Sequence, residues 1–409
     1  MNLPFFIAGR GIAYKRAGFS SFIIRLAVIA TAVSIAVMVL AVAVIQGFKY
    51  EIREKLFSFW GHVMVANYSQ NASDLTLTEP IRYDSNLVYL IKQLPHVTSV
   101  SPFIVRPAII KTPTDMEGTR LKGIDSTFRF SKSISLQGHY LQLPDSGYAS
   151  QIILSQTTAD KLKLNLGDAV QIYFIEKGST APRIRKLTVT GIFHSGMEDM
   201  DKTYALCDIR LLQRINQWQI DDINGYQIAL TDEKYMDAVS DTIFQQYLDA
   251  PLYSYTLREV YANIFDWLQL QNINAEIVLI IMAIVATINL AVAILILIVE
   301  QARMIGILKS LGMAYMRIMR VFLFYALYIA LAGIVLGNIV AISLCWLQAQ
   351  KGILKLDEAT YYMKQVPVRI HIGDILLIDV ATLLFGILFM WLPGLYIKRI
   401  QTVKVIQFK

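Results

Sequence analysis

The sequence predicts an α-helical membrane protein with four transmembrane helices and a large α+β domain outside the membrane. Three observations carry that expectation. Only 17% of the 409 residues are charged, against about 25% in a soluble domain, and the mean hydropathy is +0.47. Four separate stretches stay apolar over the roughly 20 residues that a bilayer core of about 30 Å requires. The basic residues cluster beside these stretches, so the formal net charge of +7 reads as membrane topology and not as nucleic-acid binding.

The first stretch, Leu26–Ile45, carries no charge, and the second, Ile277–Val299, is interrupted only by Thr287 and Asn289. The third, Val321–Leu347, would be about 40 Å long as a helix, so it is expected to tilt or to project from the bilayer. The fourth, Ile375–Ile397, has Asp379 in its first turns and Pro393-Gly394 near its end. The first stretch is too long for the apolar core of a cleaved signal peptide, and no turn follows it. Beyond it Phe48, Ile52 and Leu56 share a helical face and Glu51 can pair with Lys55, which favours a retained anchor extending past the membrane.

Flanking charge orients the spans. Arg10, Lys15, Arg16 and Arg25 precede the first with no acid among them. Arg303, Lys309, Arg317 and Arg320 oppose Glu300 between the second and third, and Lys398, Arg399, Lys404 and Lys409 follow the fourth. The loop after the third span nearly balances Lys351, Lys355, Lys364 and Arg369 with Asp357, Glu358 and Asp374. The positive-inside rule then places both termini and the 300–320 connection in the cytoplasm. The expected division is a cytoplasmic segment 1–21, a first span 22–47 and an outer domain 48–272 with helical stalks. A second span 273–299, a cytoplasmic coupling helix within 300–320, a third span 321–347, an outer loop 348–374, a fourth span 375–397 and a cytoplasmic tail 398–409 complete it.

Within the outer domain a helix is expected over 84–94, capped by Asp84 and stopped by Pro95, with Leu87, Leu90, Ile91 and Leu94 on one face. A second is expected over 233–248, and a third, 257–272, running directly into the second span. Val63–Val65, Arg106–Lys111, Gln151–Leu154, Val170–Phe174 and Leu187–Phe193 read as strands. Short strands mixed with a few amphipathic helices indicate an α+β domain. Cys207 and Cys345 fall in different segments and are expected to be buried small hydrophobes. The five histidines show no metal-binding spacing, so no metal site is expected.

The connection Glu300-Gln301-Ala302-Arg303-Met304-Ile305-Gly306-Ile307-Leu308-Lys309-Ser310-Leu311-Gly312 reads as a short helix closed by a glycine cap. It has an apolar side (Ile305, Leu308) and basic groups (Arg303, Lys309). Followed by Ile318-Met319-Arg320-Val321-Phe322, it resembles the signature of FtsX-like, MacB-type ABC permeases, and most of all the lipoprotein-releasing LolC/LolE family. The resemblance continues in order along the chain: Gln46-Gly47-Phe48 at the first span, then Lys122-Gly123-Ile124-Asp125, Leu166-Gly167-Asp168 and Thr188–Phe193. It extends through Gly196-Met197-Glu198 with Asp201, Tyr361-Tyr362, Val366-Pro367-Val368 and Asp374-Ile375-Leu376.

The resemblance implies a MacB-like periplasmic core domain and a bacterial inner-membrane location. It further implies a non-catalytic permease whose cytoplasmic helix sits in a groove of a separate ABC ATPase subunit. That role falls on Glu300, Arg303, Ile305, Gly306, Lys309 and Gly312. ATP and Mg would be bound by the partner, since this chain has no G-x-x-x-x-G-K-[ST] loop and no cofactor of its own is expected. The family also implies a second permease copy or paralogue, lipoprotein cargo, and a periplasmic carrier recruited by a hairpin between two strands. Here that hairpin corresponds to 175–186, with Lys177, Gly178, Ser179, Pro182 and Arg183.

Asn289, Asn338 and Asp379 are polar groups inside spans and can pair there, while Gly333-x-x-x-Gly337 reads as a helix-packing face. Two other family readings remain at this stage, a MacB-type exporter and an FtsX-type division regulator. The first usually carries an ATPase fused ahead of its spans and the second a smaller outer loop. A receptor with no ATPase is the alternative from a different class. Homodimer and heterodimer are not distinguished.

Overall fold

The computed structural model describes residues 19–69, 79–174 and 182–389. The chain forms two compact units. Of the described residues, one comprises 19–49, 269–354 and 365–389, and the other Tyr50–Leu268 together with Lys355–Lys364.

Among the described residues, four helices are long and apolar enough to cross a membrane: α1 (Phe19–Trp60), α8 (Ala262–Glu300), α10 (Tyr315–Lys351) and α12 (Ile372–Phe389). In the first unit they pack through small residues. A Cβ on Gly333 would lie 2.7 Å from the Thr31 side chain, and one on Gly337 would lie 2.7 Å from Ile35 and from the Ala32 carbonyl oxygen. The predicted glycine face therefore brings α10 against α1, as small-xxx-small contacts do in apolar surroundings. Thr31, Thr287 and Thr382 return their hydroxyls to carbonyls four residues earlier, which removes their polar cost. The Asn338 amide donates to Asp379 at 2.8 Å, joining α10 to α12.

The second unit is the α+β domain. Its strands are β1 (Val63–Asn67), β2 (Ile81–Arg82), β3 (Val97–Lys111), β4 (Met116–Ile124), β5 (Ser135–Gly138), β6 (Gln151–Ser155), β7 (Ala169–Phe174), β8 (Arg183–His194), β9 (Tyr204–Asp208), β10 (Asp222–Ile223), β11 (Gly225–Leu230) and β12 (Leu252–Thr256). The main sheet runs β12-β1-β11-β3-β4-β9-β6-β8-β5, with β7 paired to β3 and β8, and β2 and β10 form a separate ribbon. Strand β3 holds the sheet together. Its first half pairs with β11, Phe103 facing Gly225, and its second half with β4, Ile104 facing Gly123.

Helices α2 (Ser85–Lys92), α3 (Gln156–Leu162), α4 (Glu198–Thr203), α5 (Ile209–Asn216) and α6 (Met236–Tyr247) accompany the sheet. Asp84 caps α2 by accepting from the Asn86 and Leu87 amides, as predicted, but the buried face is Leu87, Val88 and Ile91 and the helix ends at Lys92. The expected continuous helix 257–272 is divided. A short α7 (Leu257–Val260), opened by a Thr256–Glu259 capping box, stops at Tyr261 before α8 begins.

The end of α1 enters the domain core. Phe59 and Trp60 are buried, and between them lies Lys122, wholly inaccessible. The Lys122 ammonium donates to the Phe59 carbonyl and, at 2.8 Å, to Gln227. It stands 4.2–4.9 Å from the ring centroids of Trp60, Phe59 and Phe128. Burial pushes its pKa well below the usual lysine value, and the three ring faces favour the charged form in return. Both cysteines are buried, as expected.

His62 follows α1 and stacks on Phe57 with centroids 4.0 Å apart, its Nδ1 accepting from the Leu230 amide at 3.1 Å. Burial, against the pull of Asp232, lowers its pKa to about 4. The folded domain thus keeps the ring neutral where the unfolded chain, titrating near 6.5, takes a proton. The stability contributed by His62 is complete above about pH 6.5 and is lost as pH falls toward 4, amounting to roughly 3 kcal/mol. Chemical denaturation of the detergent-solubilised chain at pH 7 and pH 4.5 should show that loss in the wild type. It should be largely absent in His62→Asn, whose amide oxygen can replace Nδ1.

Candidate coupling site

Between the second and third apolar helices the chain makes one nine-residue helix, α9 (Ala302–Ser310). Its predicted glycine stop is present. Gly312 takes φ +82°, the Gly312 amide donates to Lys309 and the Met313 amide to Leu308, each at 3.0 Å. These two bonds form a Schellman cap, in which a left-handed glycine lets the chain turn back on the last helical turn.

The helix has a seated side and an open side. Ile305 is fully buried, in one apolar cluster with Ile298 of α8 and Ile318, Val321 and Phe322 of α10. Gly306 is buried beside it, and Met304 and Leu308 pack on the same cluster. At 100° per residue, Arg303, Ile307 and Leu311 fall on the opposite face. There Arg303 is exposed, Ile307 is 48% exposed and Leu311 77% exposed. Glu300 and Gly312 are exposed, and Lys309 is half-buried. Of the six residues expected to contact an ATPase, the structure therefore leaves Glu300, Arg303 and Gly312 open, half-covers Lys309, and commits Ile305 and Gly306 to the chain's own packing. Ile307 and Leu311 were not singled out from the sequence. Their spacing from Arg303 was the available signal, but both helix faces carry apolar residues.

In the expected carrier-binding hairpin, Lys177, Gly178 and Ser179 lie outside the described residues. The flanking strands pair antiparallel, Phe174 facing Arg183. Pro182 is exposed, and the Arg183 guanidinium donates to the Ile215 carbonyl.

Two sequence-family models account for most of the chain. The MacB-like periplasmic core domain matches residues 26–245, and the FtsX-like permease C-terminal domain matches residues 276–402. The chain belongs to the FtsX-like, MacB-type permeases. Among related permeases, the lipoprotein-releasing system transmembrane protein LolC of Xylella fastidiosa is 24% identical over 97% of this chain and 96% of its own length. LolE of Haemophilus influenzae is 22% identical over 99% of each chain, and LolC of Neisseria meningitidis 21% identical over 97% of each. The solved periplasmic region of MacB from Actinobacillus actinomycetemcomitans aligns with 49% of this chain and 91% of that one at 12% identity, with a TM-score of 0.36. The membership agrees with the four apolar helices and α+β domain described above, and makes the chain a multi-pass inner-membrane permease. Helix α9 lies within the FtsX-like segment of this permease.

The two faces of α9 predict opposite responses to the same substitution. Ile305→Asp places a carboxylate in the apolar cluster and should destabilise the permease by more than about 3 kcal/mol. Leu311→Asp should change stability by less than about 0.5 kcal/mol. Thermal unfolding of the two variants in detergent, followed by tryptophan fluorescence, distinguishes them.

Proposed function

We propose that this chain is the permease subunit of an ATP-driven transporter that extracts lipoproteins from the inner membrane and passes them to a periplasmic carrier. The observation that carries the coupling part of this reading is α9, seated through Ile305 and presenting Arg303, Ile307 and Leu311 outward. The lipoprotein part is supported by end-to-end similarity to proteins named for lipoprotein release in three bacteria.

In this reading both termini and residues 300–320 face the cytoplasm, where the basic flanks favour them. A separate ABC ATPase binds ATP and Mg and grips the outward face of α9. Apolar Ile307 and Leu311 supply the contact, and Arg303 pairs with an acidic rim on the ATPase. Ile305 and Gly306 act indirectly, passing displacement of α9 into α8 and α10, against which Ile305 is packed. A second permease subunit completes the transporter. The spans serve as levers and not as the lining of a pore, and the chain itself performs no catalysis. The hairpin between β7 and β8 is the proposed carrier contact.

Depletion of the protein should leave outer-membrane lipoproteins in the inner membrane, and their normal sorting after depletion would reject the lipoprotein reading. Arg303→Glu and Leu311→Asp should each insert normally yet lower lipoprotein-stimulated ATP hydrolysis at least tenfold in the reconstituted complex. Normal stimulated hydrolysis in both would reject the coupling assignment.

A further inference from the structure

The Gly196-Met197-Glu198 run with Asp201 plays no part in the coupling site, yet it is tightly built. His194 ends β8. Beyond it, buried Asp201 accepts from the Ser195 amide at 3.1 Å, the Ser195 hydroxyl at 2.6 Å and the Gly196 amide at 3.1 Å. These bonds hold a turn in which Gly196 takes φ +72°. Packed on this turn is a segment more than 150 residues away in sequence, Lys355–Lys364 from the loop between the third and fourth spans, which clusters with the outer domain.

The segment is closed on itself, the Leu356 amide donating to the Lys364 carbonyl at 3.0 Å, and it contains a short helical turn, α11 (Glu358–Tyr361). It touches the domain in three directions. The Glu358 carboxylate bonds the Nε2 of His194, which must carry the proton to face a carboxylate. The Nδ1 of that ring stands 3.6 Å from Asp201, too far for a hydrogen bond but close enough for charge attraction when the ring is protonated. Lys55, near the end of α1, donates to the Tyr362 carbonyl at 2.7 Å. The Tyr362 ring meets Trp267, in the first turns of α8, edge-on at 6.2 Å.

The fit leaves no slack. A Cβ on Gly196 would lie 2.8 Å from Glu358, 2.9 Å from the Tyr362 carbonyl oxygen and 3.2 Å from the Lys55 ammonium. Among the described residues no group of three His, Cys, Asp or Glu side chains could hold a metal ion, so the His194, Asp201 and Glu358 arrangement ties chain to chain. One short segment thus engages the sheet end, the end of α1 and the start of α8, while its own flanks continue into α10 and α12.

We propose that Lys355–Lys364 is a strap that stays fastened to the outer domain through His194–Glu358, giving the third and fourth spans their own path for moving that domain. The transport consequence rests on the permease reading, whereas the fastening does not. Without the strap only α1 and α8 are common to both units. With it, every span is connected to the domain by a short, fixed piece of chain.

The test uses the full chain reconstituted with its ATPase and second permease subunit. His194→Cys/Glu358→Cys should lower lipoprotein release per ATP hydrolysed at least tenfold without changing co-purification of the ATPase. Joining the two cysteines with a short bismaleimide should restore release to within about twofold of wild type, a rescue that misfolding cannot mimic. Cys207 and Cys345 are buried and do not compete for the reagent. Wild-type release from the unjoined variant, or no rescue on joining, overturns the proposal. Hydrogen exchange across 355–364 in the chain without ATP tests the fastening alone. It should quicken at least tenfold in Glu358→Ala and stay near wild type in Glu358→Gln, which keeps an acceptor for the imidazole. Equal exchange in all three proteins overturns the strap whatever the transport result. A wild-type complex that releases no lipoprotein would instead overturn the permease reading and leave the exchange result standing.

Discussion

The α+β domain depends on the burial of one lysine. Lys122 sits without solvent beneath Phe59 and Trp60, hydrogen-bonded to the backbone of the helix that carries those rings. A lone ammonium in such a place would be prohibitively costly. Here the amino group is met by a carbonyl, an amide oxygen and three aromatic faces. Because those partners belong to α1, the loop after β4 and β11, the buried amino group is satisfied only when all three are in place. The last turn of α1 is therefore part of the domain core, and cannot be drawn out without exposing two large rings and leaving a buried amino group without its carbonyl partner.

The membrane unit solves a different problem with different means. Apolar side chains gain little from meeting one another when lipid is the alternative, so close packing and internal satisfaction of polar groups decide its arrangement. Gly333 and Gly337 let α10 approach α1 until backbone and side chain touch. The threonine hydroxyls return to their own helices, and Asn338 and Asp379 find each other. The short α9 belongs to this economy, because Ile305 completes the cluster that α8 and α10 begin.

Much of this is legible in the sequence because it is local. The spans follow from long apolar runs, the start of α2 from Asp84, the end of α9 from Gly312, and β6, β7 and most of β8 from apolar and β-branched runs. Where the reading stops short, the cause is tertiary. Pro102 disguises β3 as a shorter strand starting at Arg106, since proline cannot donate to a ladder, yet the strand runs from Val97 through both Pro102 and Pro107. Tyr204–Asp208 becomes a strand through its parallel partner β4 and its antiparallel partner β6. The choice of Ile305 over Ile307 as the buried residue of α9 is made by α8 and α10. No local pattern marks Lys55, His194 and Glu358 as neighbours, because three distant segments meet only in the folded domain.

The single residue that separates α7 from α8 makes the two long helices shared by both units mechanically unlike. Tyr261 leaves helical geometry at φ −116° and ψ 40°, whereas α1 runs from Phe19 to Trp60 without a break. An unbroken helix resists twisting about its axis along its whole length, because each turn is bonded to the next. A helix entered through one non-helical residue lacks that continuity at its point of entry. The first helix is thus one continuous rod ending in an aromatic socket, and the second starts afresh after Tyr261, whose amide donates to the Leu257 carbonyl and whose carbonyl accepts from the Ile264 and Phe265 amides.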